Sequence, residues 1–156
     1  HDKVPRLMAV LHPLRVRLVN WPDPAHVEML EAPLFPDGPF RQLPFGADLL
    51  LECDDFAAGP AIPAGFRRLS PGVSVKLRFA YVVTCLSWRE DEAGEVVEVV
   101  CRYDPDSRSR FVAGGATAGR LPRGTAVVHW VHASLHETAK LIGGEGEGDG
   151  QLICEP

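Results

Sequence analysis

Clusters of basic side chains without acidic neighbours are the strongest chemical signal in this sequence. Two stretches, residues 66–88 and 107–124, carry four cations each and no acid, although the chain as a whole has a net charge of −5. Such cations need an outside anion or a distant carboxylate, and arginine suits phosphates, base edges and base faces. These stretches therefore indicate a cationic binding face. Their basic residues are Arg67, Arg68, Lys76, Arg78, Arg108, Arg110, Arg120 and Arg123.

Period-two alternation predicts the strands that position these cations. Apolar residues alternate with Arg15 and Arg17 in LRVRL, and with Lys76 and Arg78 in VSVKLRF. Strict alternation predicts half-buried strands, with one face toward the core and one toward solvent or a partner. Lys76 and Arg78 then share the outer face about 7 Å apart, close to the spacing of successive phosphates or unstacked bases.

The other apolar runs predict an all-β domain. Runs rich in Val and Leu cover residues 27–31, 48–53, 96–103 and 125–133, and EDEAGEVVEVV predicts a hairpin. Fifteen glycines and 14 prolines separate these runs, and no segment keeps a helical period with caps. The sequence thus predicts one β-sandwich or barrel with a core of ordinary size. We expect the three tryptophans, Trp21, Trp88 and Trp130, to pack at its ends.

The last part of the chain predicts less regular structure. HASLHETAKLI predicts a short helical turn, GGEGEGDG at residues 143–150 predicts a flexible acidic linker, and QLIC at residues 151–154 predicts a returning strand.

No side-chain arrangement in the sequence predicts catalysis, a metal site or a membrane span. It contains no GxxxxGKS/T phosphate loop and no GxSxG motif. His129, His132 and His136 would form a zinc face only on a helix, whereas TAVVHWVHA predicts a strand with His129 and Trp130 on opposite faces. The four cysteines lack CxxC spacing, and we expect reduced, buried thiols. No apolar run reaches the ~20 residues of a membrane helix.

Four segments carry a family resemblance. They are VPRLMAVLHPLRVRLVNW, FRRLSPGVSVKLRFAYVVTC, GEVVEVVCRYDPDSRS and GTAVVHWVHAS, and they cover most of residues 4–133. In this order they resemble the C-terminal anticodon-binding region of glutaminyl-tRNA synthetases. Each match alone is moderate, but the ordered set is specific.

The resemblance implies a fold and a function. The fold is a closed antiparallel β-barrel of the type shared with a ribosomal protein family that binds 5S ribosomal RNA. The function is recognition of the tRNA(Gln) anticodon loop, whose splayed single-stranded bases are open to side chains. The parent is a cytoplasmic class I aminoacyl-tRNA synthetase, a glutamine–tRNA ligase. This chain has no HIGH-like or KMSKS-like motif, so the ATP and Mg belong to a catalytic domain of the same polypeptide, and we expect no cofactor, DNA or membrane partner here.

The resemblance also assigns site residues. Arg6 matches an anticodon-contacting arginine, and Arg67 and Arg68 match a basic pair that clasps an anticodon nucleotide. Lys76 matches a recognition-strand position where the family often has arginine. Lysine keeps the positive charge there but lacks the planar guanidinium that makes two parallel hydrogen bonds. Arg78 matches a further strand arginine. We expect Arg108 and Arg110 to contact the tRNA backbone. We expect Arg120 and Arg123 to contact either the tRNA backbone or a neighbouring domain.

The chain departs from the family at its end. The family region usually contains two barrels, whereas here HASLHETAKLI diverges and GDGQLICEP resembles the strand that returns to the first barrel. We therefore expect the second, distal barrel to be missing, truncated, cut or disordered, and residues 1–156 to form a single anticodon-binding domain.

Three alternatives remain open. A eukaryotic-type glutamyl-tRNA synthetase shares this domain, although the Leu-Arg-x-Ala-Tyr and Tyr-Asp-Pro segments favour the glutaminyl branch. The second alternative is a ribosomal-RNA-binding barrel protein with no synthetase attached. The third is a protein-interaction module whose basic face binds an acidic partner.

Overall fold

A computed structural model describes residues 7–35, 38–112, 115–117, 121–140 and 151–156. Fourteen strands make up nearly all the regular structure of these residues, with three short 3-10 helices at Cys53–Asp55, Gly59–Ala61 and Pro105–Ser107. The strands are β1 (Ala9–Val10), β2 (Pro13–Leu18), β3 (Glu28–Pro33), β4 (Phe40–Phe45), β5 (Asp48–Glu52), β6 (Ser74–Leu77), β7 (Val82–Glu90), β8 (Val96–Asp104), β9 (Arg110–Val112), β10 (Gly115–Thr117), β11 (Val127–Val128), β12 (Trp130–His132), β13 (Glu137–Lys140) and β14 (Gln151–Cys154).

Seven of these strands form the main sheet, in the order β11-β6-β7-β8-β2-β5-β12. Its two edge strands, β11 and β12, are consecutive in the chain and only His129 separates them, so the sheet curls until its edges approach each other. The hydrogen-bonded ladder itself stays open, and the β11–β6 and β2–β8 pairs are parallel. The predicted all-β class is confirmed, but the prediction of a closed, antiparallel barrel is wrong.

Three smaller sheets accompany the main sheet. β3 pairs with β4 in a hairpin, β9 pairs with β10, and β14 lies between β1 and β13. The predicted returning strand at residues 151–154 is therefore confirmed. The predicted helical turn after His132 is wrong over its described part, because Glu137–Lys140 pair with β14 as a strand. The predicted linker, residues 143–150, lies outside the described residues.

The hydrophobic core fills the concave side of the curled sheet. β2 alternates between exposed and fully buried residues, as predicted, because every second side chain of a strand points to the same face. Aromatic rings pack at the centre, with centroids 5.1 Å apart for Phe45 and Trp130 and also for Tyr81 and Tyr103. Such edge-to-face pairs add to the stabilisation from apolar burial.

The hairpin of β7 and β8 is confirmed, and its far end reaches beyond the core. Cys85 lies opposite Cys101 near the buried end of the pair, and both thiols are buried and free, whereas Cys53 is exposed. Trp21 and Trp130 are buried, but Trp88 is 37% exposed in the overhanging half of β7. Trp88 lies at the margin of the core, where its ring centroid is 6.4 Å from that of the buried Phe56.

No helix of the described residues has the length and apolar character to cross a bilayer.

Candidate nucleic-acid interface

The turn between β6 and β7 carries two side chains of the candidate site, Arg78 and Phe79. The amide of Leu77 donates to the carbonyl of Tyr81 at 2.9 Å, and the amide of Ala80 donates back to the carbonyl of Leu77 at 2.9 Å. Within this tight turn Phe79 has a φ of 64°, a left-handed conformation that is unusual for a bulky residue. Strained backbone of this kind is often found at binding sites.

The edge strands β11 and β12 also bond to this turn, through Val128 and Trp130. The amide of Arg78 donates to the carbonyl of Val128 at 3.0 Å, and the carbonyl of Arg78 accepts from the indole Nε1 of Trp130 at 2.8 Å. Trp130 is 1% exposed whereas His129 is exposed, so their predicted placement on opposite faces is confirmed. The indole therefore fixes the main chain of Arg78, and the imidazole is left at the surface beside it.

A cavity of about 330 Å³ opens next to the turn. This volume is at the small end of the range for ligand pockets. Its polar groups are Arg41, Arg78 and His129, and its apolar wall is formed by Leu7, Met8, Pro33, Leu34, Phe35 and Phe79. The Arg78 guanidinium carbon lies 5.0 Å from the centroid of the Phe79 ring, within cation–π distance. We call this space the turn cavity.

The surroundings of His129 in the turn cavity favour its uncharged form. Burial and the positive charge of Arg78 lower its pKa below the ordinary 6.5, and the carboxylate of Asp55 only partly opposes this. A neutral imidazole offers one N–H donor and one acceptor. It is therefore suited to a polar, uncharged group.

Arg68 lies beside the same group of charges. Its Nη1 is 3.0 Å from Oδ1 of Asp55 and donates to the carbonyl of Asp54 at 3.3 Å, and the Asp55 carboxylate also acts on His129. The Arg68 side chain remains 53% exposed. Burial raises the pKa of Asp55, while the charge of Arg68 acts to lower it. The exposed guanidinium is thus held near the turn cavity by one carboxylate.

Lys76 lies inside the domain, so the prediction that it shares the outer face with Arg78 is wrong. It is 3% exposed, and its Nζ donates to the carbonyls of Ala80, at 2.7 Å, and Ser107. The Pro105–Ser107 helix covers this part of β6, and Ser107 Oγ accepts from the amide of Val82 at 2.7 Å. Burial lowers the pKa of Lys76 to about 8, with the charge of Asp104 opposing the shift. Its ammonium supports the Arg78–Phe79 turn from beneath.

The remaining predicted arginines have different surroundings. Arg108 Nη1 lies 2.7 Å from Oε1 of Glu28, whose other oxygen accepts from the Tyr81 hydroxyl at 2.7 Å. Arg67 and Arg123 are exposed, and neither forms an ion pair or hydrogen bond within the described ranges. Three predicted residues are not tested: Arg6 and Arg120 lie outside the described residues, as does the side chain of Arg110.

Sequence reasoning missed Arg41, Phe79 and the surface role of His129. Arg41 lies on β4, outside both acid-free stretches, and its buried partner Glu155 is near the other end of the chain. Nothing local in the sequence links those two residues. Phe79 occupies a position that strand alternation assigns to the core, because the alternation does not reveal where the strand ends and the turn begins.

One group in the described part of the chain has the donor atoms for a metal ion. The ligand atoms of His12, Glu52 and Cys53 lie within 4.8 Å of one another. The Glu52 carboxylate already accepts from the amides of Leu11, at 2.8 Å, and His12, at 2.9 Å, and it lies 3.3 Å from the imidazole Nδ1 of His12. These contacts account for the arrangement without an ion. The predicted absence of a metal stays a prediction.

Domains that bind single-stranded RNA use aromatic and arginine side chains on β-sheet surfaces to contact unstacked bases, and the turn cavity contains residues of both types. The model of the family "tRNA synthetases class I (E and Q), anti-codon binding domain" matches residues 4–104, and the chain belongs to this family. The predicted family resemblance is therefore confirmed.

Curated relatives agree with this assignment. The chain is 43% identical over 139 residues to the Glutamine--tRNA ligase of Bradyrhizobium diazoefficiens, covering 87% of this chain and 23% of the relative. It is 43% identical over 131 residues to that of Pseudomonas aeruginosa, covering 83% and 22%. It is 41% identical over 130 residues to that of Rhodopirellula baltica, covering 81% and 20%. The matched region is thus less than a quarter of the length of each of these relatives.

Proposed function

We propose that this chain binds and reads the anticodon loop of tRNA(Gln) as the C-terminal domain of a glutaminyl-tRNA synthetase. The observation that carries the proposal is the turn cavity, in a chain whose relatives are named as glutamine–tRNA ligases. The cavity is large enough for one unstacked base. Phe79, half-buried against the core, supplies an apolar wall for a base, and Arg78 and His129 offer hydrogen-bonding groups to the base edge.

The exposed arginines around the cavity position the loop. Arg67 and Arg68 contact an anticodon nucleotide together with Arg78, and Arg6 adds a further contact. Lys76 acts indirectly, because its ammonium is bonded to the main chain below the turn. Phosphate contacts fix register, and base contacts discriminate. Backbone contacts come from Arg108, Arg110, Arg120 and Arg123.

The rest of the synthetase supplies the chemistry. Ligation of glutamine to tRNA, with its ATP and Mg, takes place in a catalytic domain of the same polypeptide in the cytoplasm. This chain contributes no catalytic residue and needs no cofactor.

Binding of anticodon stem-loops to the 156-residue chain tests the proposal. Fluorescence anisotropy should show tighter binding to the tRNA(Gln) stem-loop than to the tRNA(Glu) stem-loop, and an unrelated acidic protein should not compete. A preference for the tRNA(Glu) loop would assign the glutamyl branch. Competition by the acidic protein would favour a protein-binding module.

Arg68 and Arg15 provide a matched pair for mapping the surface. Each side chain is 53% exposed, and each lies 3.0 Å from an aspartate oxygen. We expect Arg68→Ala to weaken binding of the tRNA(Gln) loop by roughly 5–100-fold, the worth of one readout contact by analogy with DNA. Arg15→Ala, on β2, should change it less than about twofold on the same analogy. Equal losses would contradict the assigned surface.

A further inference from the structure

The turn cavity contains a second arginine, Arg41, that the family resemblance does not assign. Its guanidinium carbon lies 5.7 Å from the centroid of the Phe79 ring, the ring that Arg78 also contacts. We infer that Arg41 donates a hydrogen bond to a carbonyl oxygen of the nucleobase held in the turn cavity, and that Glu155 is the positioning residue for Arg41. This inference rests on the proposed function.

The first support is an unused donor. Nη1 of Arg41 donates to the carbonyl of Pro33, and Nη2 forms an ion pair with Glu155. Nε and Nη2 of Arg41, and both carboxylate oxygens of Glu155, are buried without a hydrogen-bond partner among the described residues. The Arg41 side chain is only 11% exposed, and burying an N–H without a partner is costly. A turn of the guanidinium toward the cavity, which it lines, would bring Nε to a ligand acceptor and satisfy this donor.

The second support is the way Arg41 is held. The Glu155 side chain is 2% exposed, and the Glu155 amide donates to the carbonyl of Met8 at 3.2 Å. This bond continues the β1–β14 pairing to the residue after β14. A buried ion pair is weak evidence for stability and is better explained by the specific geometry it imposes. Here it fixes one guanidinium against the cavity wall.

The charge balance favours a base carbonyl over a phosphate. Glu155 already neutralises Arg41, and Arg78 acts on the same carboxylate. A phosphate in this cavity would meet the buried negative charge of Glu155 and a largely apolar wall, and both are unfavourable for an anion. A neutral carbonyl oxygen accepts from Nε without that repulsion.

The test is a cycle between protein variants and abasic stem-loops, which keep their phosphates but lack one base. Arg41→Lys keeps a cation beside Glu155 but removes Nε–H. The double variant Arg41→Met with Glu155→Leu replaces the buried pair by apolar side chains of similar size, a change that proteins often tolerate. Thermal unfolding establishes that each variant is folded.

We expect both variants to bind the intact tRNA(Gln) loop about tenfold more weakly than the wild type, as expected for one lost base contact. On the loop that lacks the base held in the cavity, wild type and variants should bind equally. Glu155→Leu with Arg41 intact should lose the base-dependent difference, whereas Glu155→Gln, which keeps an oxygen acceptor for Arg41, should retain it.

Three outcomes would overturn the inference. A loss that persists on every abasic loop would assign Arg41 to a phosphate. Unchanged binding in Arg41→Lys and the double variant, with intact wild-type binding, would remove Arg41 from the interface. A base-dependent difference unaltered by loss of Glu155 would remove its positioning role. If the wild-type chain binds no stem-loop at all, the proposed function itself fails.

Discussion

The neighbour of each arginine decides what its guanidinium can still bind. The pair of Arg68 with Asp55 is exposed, and exposed pairs contribute roughly 0–1 kcal/mol, so an RNA phosphate can replace the carboxylate at little cost. The pair of Arg41 with Glu155 is buried, and breaking it would leave an uncompensated charge. Arg78 lies against the Phe79 ring, and among the described residues its guanidinium forms no hydrogen bond or ion pair. Three arginines near one cavity therefore have three different chemical roles.

Lys76 gives a prediction at the residue scale. Its pKa falls from the ordinary 10.5 to about 8 on folding. Between these two values the unfolded chain binds more protons than the folded chain, so the contribution of Lys76 to stability rises with pH. The free energy of unfolding of the wild type, minus that of Lys76→Met, should increase by up to about 3 kcal/mol from pH 8 to pH 10.5. Urea unfolding at a series of pH values measures this difference, and parallel pH curves for the two proteins would contradict it.

The surroundings of Lys76 also show where sequence reasoning stops. The acid-free stretch singled out Arg68 and Arg78 because local charge composition is visible in the sequence, and their role in binding stays a prediction. The burial of Lys76 depends on carbonyls of Ala80 and Ser107, and the latter is 31 positions away. The pair of Arg41 and Glu155 depends on an even longer separation. Contacts between distant segments leave no periodic or compositional signal.

At the scale of elements, the turn between β6 and β7 combines local strain with external support. The strained residue is Phe79, at a φ of 64°. Hydrogen bonds from the edge strands and from Lys76 surround the turn and keep it in place. A strained conformation persists when the surrounding structure determines it in this way. The turn can therefore present its ring and guanidinium without reorganising on binding.

Substitutions at Phe79 separate strain from side-chain contacts. Phe79→Gly and Phe79→Ala both remove the ring, but only glycine adopts a positive φ without a steric penalty. We expect the glycine variant to be about 1 kcal/mol more stable than the alanine variant in thermal unfolding. Both should bind the tRNA(Gln) loop more weakly than the wild type, because the apolar wall for the base is lost. Equal stability of the two variants would show that the turn is unstrained.

Elements with strong local patterns were predicted well. β2 shows its alternation in the sequence, and the β7–β8 hairpin is recognisable from two apolar runs around Glu92–Gly94. The strand β13 was mistaken for a helical turn because its pairing partner, β14, comes after the residue 141–150 segment. Strand pairing and sheet curl depend on such distant partners, so the open ladder was not predictable.

At the scale of the whole molecule, the distribution of charge matters more than its sum. The net charge is −5, and several arginines, including Arg15, Arg17 and Arg89, already lie near carboxylates. Arg67 and Arg123 form no ion pair among the described residues. In the part of the chain that the structure describes, few cations therefore remain to displace counterions from RNA, and we expect binding to depend on a small set of contacts.

Salt dependence measures the size of that set. With about three or four phosphate contacts, the logarithm of the association constant should fall with the logarithm of salt concentration at a slope of about −2 to −3. Arg67→Ala should make the slope about 0.7 less steep, the value of one contact to a single strand. Anisotropy titrations at several KCl concentrations give both slopes. A slope unchanged by Arg67→Ala would show that Arg67 contacts no phosphate of its nucleotide.

The single residue between β11 and β12 has a mechanical consequence for the fold. Val127–Val128 pair with Lys76–Leu77 at one margin of the sheet, and Trp130–His132 pair with Leu49–Leu51 at the other. His129 is thus the only covalent link needed between the two edge strands of the main sheet. Because only one residue separates β11 from β12, neither edge strand can move away from the sheet without displacing the other. The side chain of this linking residue, His129, lines the turn cavity. A shift of either edge strand would therefore also move a residue that lines the turn cavity.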